Sequence, residues 1–179
     1  MAKKKRIGFD LDGVLYPWHE VVFDLCLEFK YIDESMTEEK FWKEWFTHEA
    51  RPIFVDNILG DMSLFFKKKM SPDNVSLLNR LKKRFDIFFI SQRADCAYLV
   101  TKGWLKDVNL FDNNLYLVED KPAMVRVLDI DYFLEDRVEN VDKLKHVVNT
   151  FIVSAPFNMD YYDKDVTRLG YTVDLEEYL

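Results

Sequence analysis

Short apolar runs that alternate with helical patterns constrain the fold of this 179-residue chain more than any other feature. Between the runs, apolar residues recur at helical spacing, as at Val138, Val141 and Leu144. Strands that alternate with helices build a parallel sheet that helices cover on both faces. The runs occupy residues 6–9, 85–90, 115–118, 132–134 and 151–153. We therefore predict an α/β fold around a parallel sheet.

The alternation is interrupted between the first two runs, where helical signals occur without a convincing strand. Trp18 and Leu25 belong to one apolar helical stripe in this stretch. We assign residues 1–15 and 71–179 to the α/β core and residues 16–70 to a small helical cap, which follows the first strand and could serve as a lid.

Charge and composition argue against several classes of protein. The 25 Lys and Arg residues against 32 Asp and Glu residues give a formal net charge of −7, which disfavours a partner such as nucleic acid. The apolar runs are far shorter than the roughly 20 residues of a membrane span, so we predict no membrane association. The apolar stretch after the basic residues 3–6 is broken at once by acid, so we expect a cytoplasmic protein.

The cysteine and histidine residues show no metal-binding or disulfide pattern. Cys26 and Cys96 lie in apolar patterns far apart in the chain, and we interpret both as buried thiols. His19, His48 and His146 fall in separate helical patterns without metal-ligand spacing, so we interpret them as surface or packing residues.

The sharpest local signal is a pair of carboxylates, Asp10 and Asp12, at the end of the first apolar run. Gly13 would allow a tight turn that brings Asp12 back beside Asp10. Two such carboxylates can share Mg²⁺ with phosphate oxygens, or one of them can act as a nucleophile. An acidic turn without any catalytic role would have the same sequence.

Three further polar residues follow other runs of the predicted sheet. Ser91 offers a hydroxyl, Lys121 an ammonium and Asp136 a third carboxylate, and together they could bind a phosphate and a metal. Each residue alone also suits an ordinary role, as a helix cap, a loop cation or the acidic start of a helix. The carboxyl ends of parallel strands meet at one edge, so we expect the three side chains to converge.

These residues resemble, in order and spacing, the four motifs of the haloacid dehalogenase (HAD) superfamily of phosphotransferases. The resemblance implies a Rossmann-like sheet of strand order 3-2-1-4-5, with a cap after the first motif. It implies Asp10 as nucleophile, Asp12 as general acid and base, and Ser91 and Lys121 as phosphate binders. Asp136 would hold Mg²⁺ together with Asp10 and the main-chain carbonyl of Asp12.

Two features depart from the motifs or have no counterpart in them. Glu135 stands where many members have Asp, which leaves the pairing of acid and metal open. Gln92 and Arg93 follow the second motif, and the sequence assigns neither a role.

Within the superfamily the chain looks most like the 5'(3')-deoxyribonucleotidases and their bacterial and phage relatives. It shares their Asp-x-Asp-Gly-Val-Leu motif, a compact helical cap and a Pro-x-Asn element, here Pro156 to Asn158. In these enzymes an aromatic residue six positions after the second motif Asp lines the base pocket, and Trp18 occupies that position. Trp18 could equally pack inside the cap with Trp42 and Trp45.

The resemblance thus implies a Mg²⁺-dependent phosphoric monoester hydrolase that cleaves nucleoside monophosphates through an aspartyl-phosphate. One alternative is a 3'-phosphatase on nucleic-acid ends, for which residues 3–6 and 67–69 would have to form a basic groove. Another is a HAD-like binding module without turnover. The partner we expect is a small phosphate ester, and the sequence leaves base, sugar, phosphate position and homodimer formation open.

Overall fold

The computed structural model describes residues 3–45, 47–48, 51–52, 54, 67–110 and 114–179. Much of the second half of the predicted cap, including residues 55–66, therefore lies outside the described residues.

A single parallel sheet runs through the described part of the chain. Its strands are β1 (Lys5–Phe9), β2 (Phe85–Ser91), β3 (Leu115–Leu117), β4 (Tyr132–Glu135), β5 (Asn149–Val153) and β6 (Thr167–Leu169). Their order is β3-β2-β1-β4-β5-β6, with every neighbouring pair parallel. The five predicted strands and their order are confirmed, and β6 adds a sixth strand that was not predicted. β6 has only three residues and no apolar run, so its conformation depends on pairing with β5.

Helices connect the strands and cover both faces of the sheet. They are α1 (Trp18–Glu28), α2 (Glu38–Glu44), α3 (Pro72–Leu81), α4 (Tyr98–Asp107), α5 (Lys121–Val127) and α6 (Val138–Leu144), with short 3₁₀ segments at Asp95–Ala97 and Thr172–Tyr178. α1 and α2 lie between β1 and β2, which confirms a helical insertion after the first strand. The boundaries of the cap remain a prediction.

Local capping decides where two of the functional elements begin. The Ser71 hydroxyl accepts a hydrogen bond from the Asn74 amide, which starts α3. The Asp120 carboxylate accepts a hydrogen bond of 2.9 Å from the Ala123 amide. This second cap places Lys121 at the first position of α5, close to the carboxyl ends of the strands.

Two apolar clusters form the core, one on each face of the sheet. Phe89 and Ile90 are neighbours in β2 but belong to different clusters, as the alternation of side chains along a strand requires. The larger cluster joins Phe89 of the sheet to Leu25 of α1 and Phe41 of α2. The described part of the insertion therefore packs on the core of the sheet.

Two sequence predictions about the rest of the molecule can be compared with the fold. None of the described helices is both long enough and apolar enough to cross a membrane. Cys26 is buried as predicted, whereas Cys96 is exposed, so its assignment as a core thiol was wrong. In the 3₁₀ segment that contains Cys96, Ala97 takes the buried position.

Candidate active site

Polar residues at the carboxyl ends of three strands meet beside the first turn of α5. Asp10 follows β1, Ser91 ends β2 and Asp136 follows β4, while Lys121 opens α5. All four residues are buried. Together with Asp12 they line one cavity of about 350 Å³. The structure thus brings together the five residues that the motifs had singled out.

A tight turn after β1 places Asp12 in the cavity. The main-chain amides of Leu15 and Tyr16 donate to the carbonyl of Leu11 at 2.9 and 2.8 Å, and Gly13 has a φ of +85°. A Cβ on Gly13 would overlap a carboxylate oxygen of Asp136. Glycine is therefore required here both by the backbone conformation and by the close approach of that carboxylate.

Lys121 lies between two buried carboxylates. Its Nζ is 2.9 Å from Oδ1 of Asp10 and 2.6 Å from Oε2 of Glu135. Glu135 also accepts hydrogen bonds from the main-chain amides of Asp136 and Arg137, at 3.2 and 3.1 Å, and from Nδ2 of Asn140 at 3.2 Å. Both oxygens of Glu135 are thus engaged, and this residue holds Lys121 in place.

The acidic cluster fits a divalent cation. Carboxylate oxygens of Asp10, Glu135 and Asp136 lie within 4.8 Å of one another. Among the described residues, buried Oδ1 of Asp136 has no hydrogen-bond partner, which is costly unless a cation compensates it. Mg²⁺ prefers one or two carboxylates together with phosphate oxygens and water. Because Glu135 is committed to Lys121, Asp10 and Asp136 are the side chains that would hold the ion.

Burial controls the protonation of the cluster. It raises the pKa of Asp10 to about 7, although the positive charge of Lys121 opposes the rise. Burial also acts to lower the pKa of Lys121, but the carboxylates of Asp10 and Glu135 outweigh it and the pKa is raised. Lys121 is therefore charged at neutral pH, whereas Asp10 is only partly ionised unless further positive charge is present.

Arg93, to which the sequence assigned no role, makes a bidentate contact with the carboxylate of Asp12. Its Nε donates to Oδ2 of Asp12 at 2.8 Å and its Nη2 donates to Oδ1 at 2.5 Å. The Asp12 side chain is 23% exposed, so it remains accessible from the cavity. Because the carboxylate faces Arg93, the main-chain carbonyl of Asp12 is the group that remains for the implied metal contact.

His19 also lies in the site, although sequence reasoning had set it aside as a surface or packing residue. Its Nε2 is 3.2 Å from Oδ2 of Asp136, and its side chain is 13% exposed. The ring does pack, 5.2 Å from the ring of Trp42 and 5.0 Å from that of Phe157. The only sequence signal for its position was the neighbouring Trp18, itself a predicted site residue.

The same cavity is lined by aromatic side chains, which we call the aromatic wall, and by the polar motif residues, which we call the floor. The members of the aromatic wall are Trp18, Trp42, Trp45, Phe54 and Phe157. Trp18 therefore lies in the same wall as the two tryptophans against which packing had been considered. Its ring is also 6.4 Å from that of Tyr16. Trp18 thus both lines the cavity and packs against a neighbouring ring. Stacking of Trp18 on a base remains a prediction.

The Pro-x-Asn element ties the loop after β5 to the fourth motif. Buried Asn158 donates from Nδ2 to the main-chain carbonyls of Asp136 at 2.6 Å and Val153 at 2.9 Å. Its Oδ1 accepts a hydrogen bond from the Ala155 amide at 3.0 Å. These bonds hold the backbone of Asp136 and place the neighbouring Phe157 in the aromatic wall.

Sequence comparison finds two bacterial relatives that are similar over most of the chain, and no family model matches it. The chain is 24% identical over 197 aligned positions to a protein of Halalkalibacterium halodurans named a putative nucleotidase, with 100% of this chain and 94% of the relative covered. It is 23% identical to a nucleotidase of Clostridium acetobutylicum, with 87% of this chain and 85% of the relative covered.

Solved structures with the same fold include HAD-like hydrolases. One from Streptococcus pneumoniae has a TM-score of 0.66 at 13% identity, and 99% of each chain is covered. A HAD-hydrolase of Bacillus subtilis, in a crystal structure bound to magnesium, has a TM-score of 0.64 at 13% identity with the same coverage. Strand order and the solved structures together show that the chain has the fold of the HAD-like hydrolases, and the two sequence relatives are proteins named as nucleotidases.

Proposed function

We propose that the protein is a Mg²⁺-dependent phosphatase that hydrolyses nucleoside or deoxynucleoside monophosphates. The observation that carries the proposal is the close approach of Lys121 to Asp10, 2.9 Å apart, at the floor of a cavity with an aromatic wall. The floor suits a phosphate and the wall suits a planar base. The names of the two bacterial relatives support the same substrate class.

The first step transfers the phosphoryl group to the enzyme. A carboxylate oxygen of Asp10 attacks phosphorus in line, so an Asp10–phosphorus bond forms while the bond to the leaving oxygen breaks. Asp12, which enters this step with a proton on an oxygen lone pair that Arg93 does not occupy, gives that proton to the departing alkoxide. Lys121 neutralises phosphate oxygens, and the Ser91 hydroxyl donates a hydrogen bond to one of them.

The second step restores the free enzyme. Asp12, now a carboxylate, takes a proton from water, which attacks the phosphorus of the aspartyl-phosphate. The bond to Asp10 breaks and inorganic phosphate leaves. Magnesium held by Asp10 and Asp136 would supply positive charge to the phosphate oxygens and favour the ionised form of Asp10.

The ion pairs of the described residues disfavour the nucleic-acid alternative. A polynucleotide 3'-phosphatase needs a groove of available cations along its substrate. Lys67 is 2.9 Å from Glu28, and Lys68 is 2.8 Å from Glu20. Lys3 likewise lies 2.5 Å from Asp129. These pairs neutralise three of the residues from which a basic groove had been considered.

Phosphate release from a panel of substrates tests the proposal. The panel contains nucleoside monophosphates, sugar phosphates and a 3'-phosphorylated oligonucleotide, each with Mg²⁺ or with EDTA. We expect Mg²⁺-dependent release with the highest kcat/KM for mononucleotides, and none from an Asp10→Asn variant. A preference for sugar phosphates would refute the substrate class, and turnover by Asp10→Asn would refute the nucleophile.

A further inference from the structure

We propose that Arg93 is a positioning residue that aims the carboxyl group of Asp12 at the leaving oxygen of the substrate. The inference rests on the proposed phosphatase function and assigns a role to a residue outside the four motifs. It predicts a selective effect on substrates whose leaving group needs a proton.

The contact between Arg93 and Asp12 defines an orientation as well as a charge pair. Two N–H groups of one planar guanidinium meet the two oxygens of one carboxylate, at 2.8 and 2.5 Å. A bidentate pair of this kind holds the plane of the carboxyl group, whereas a single contact leaves it free to rotate. The guanidinium takes one lone pair of each oxygen, so a proton on a remaining lone pair of Asp12 is held in a fixed direction, and proton transfer depends on such alignment.

Arg93 can impose this orientation because it is itself held firmly. Its side chain is only 1% exposed. Its Nη1 donates to the hydroxyl of Thr101 in α4 at 2.9 Å, and its guanidinium carbon lies 5.3 Å from the centre of the Tyr16 ring. Contacts to a helix and to the turn after β1 thus hold the guanidinium in place.

The choice of substrate distinguishes positioning of Asp12 from direct phosphate binding by Arg93. The hydrogen bonds described for the guanidinium are directed at Asp12 and Thr101. If Arg93 bound the phosphate directly, its replacement would slow the hydrolysis of every phosphomonoester to a similar extent. A residue that acts through Asp12 affects an alkoxide leaving group, which must be protonated, far more than p-nitrophenolate, which departs without a proton.

The test compares two substrates on the same preparations. For the wild type, Arg93→Met, Arg93→Lys and Thr101→Val, kcat/KM is measured with thymidine 5'-monophosphate and with p-nitrophenyl phosphate. The ratio of the two values does not depend on the fraction of folded enzyme. We expect Arg93→Met to lower the ratio by about 10- to 100-fold, within the range that general acid catalysis provides. Arg93→Lys keeps the positive charge but cannot make the bidentate contact, so its ratio should lie between those of the wild type and Arg93→Met. Thr101→Val should lower the ratio by a smaller factor.

A double-mutant cycle shows whether Arg93 acts through Asp12. In an Asp12→Asn background, Arg93→Lys should leave the substrate ratio where Asp12→Asn alone places it. A ratio unchanged in all Arg93 and Thr101 variants of an active enzyme would overturn the inference while leaving the proposed function standing. A wild type inactive on both substrates, with and without Mg²⁺, would overturn the proposed function and this inference with it.

Discussion

Replacing Asp10 by Asn should stabilise the metal-free protein at alkaline pH while it abolishes turnover. Asp10 is buried, and burial raises its pKa from 3.8 to about 7. The folded protein therefore binds this proton more tightly than the unfolded chain. The contribution of the protonated Asp10 carboxyl group to the free energy of unfolding is fully present below about pH 4. It is lost as the pH rises through about 7. Asn is neutral at every pH and escapes this loss.

The magnitude follows from the two pKa values. Their separation of about three units, at about 1.36 kcal/mol per unit, gives about 4 kcal/mol in favour of Asn above pH 8. At pH 5 only the unfolded chain has ionised, so the advantage is about 2 kcal/mol. The attraction of Lys121 is already contained in these values, since it opposes the rise in the pKa of Asp10.

Urea unfolding in EDTA at pH 5 and pH 8.5 measures the effect. The free energy of unfolding of Asp10→Asn should exceed that of the wild type at both pH values, and by more at pH 8.5. Asp165 is exposed, so Asp165→Asn serves as a matched control that should change little. An Asp10→Asn protein that is no more stable than the wild type at pH 8.5 would refute the reasoning from burial.

Three further predictions test the floor and wall of the cavity. Lys121→Met should abolish phosphate release and lower the free energy of unfolding at pH 7 by about 3–5 kcal/mol, since it leaves Glu135 buried without its cation; urea unfolding with no loss would contradict this. Gly13→Ala should weaken Mg²⁺ binding at least about tenfold, because its Cβ displaces Asp136, and unchanged affinity by calorimetry would contradict the close approach. Trp18→Ala should raise KM for nucleotides about tenfold, a stacking contribution of about 1–3 kcal/mol, without a similar change for p-nitrophenyl phosphate; equal changes would refute stacking.

Much of the fold could be predicted because its signals are local. Each of the five apolar runs is a strand of the sheet. The strand β6 was not predicted. Thr167 and Arg168 give β6 no apolar pattern, and only the neighbouring β5 makes these residues a strand. The helix starts at Ser71 and Asp120 are local in the same way. Each side chain accepts a hydrogen bond from the main-chain amide three residues later.

The side chains that meet at the edge of the sheet could be predicted from the sequence, because the carboxyl ends of parallel strands lie at one edge. Asp10, Ser91 and Lys121 could be placed together on that ground. The hydrogen-bond and ion-pair partners of the site residues, by contrast, follow from the packing of distant elements. Arg93 grips an acid 81 positions away, and His19 approaches Asp136 across the cavity. Such contacts depend on distances of a few ångströms between separate elements, and no periodicity along the chain encodes them.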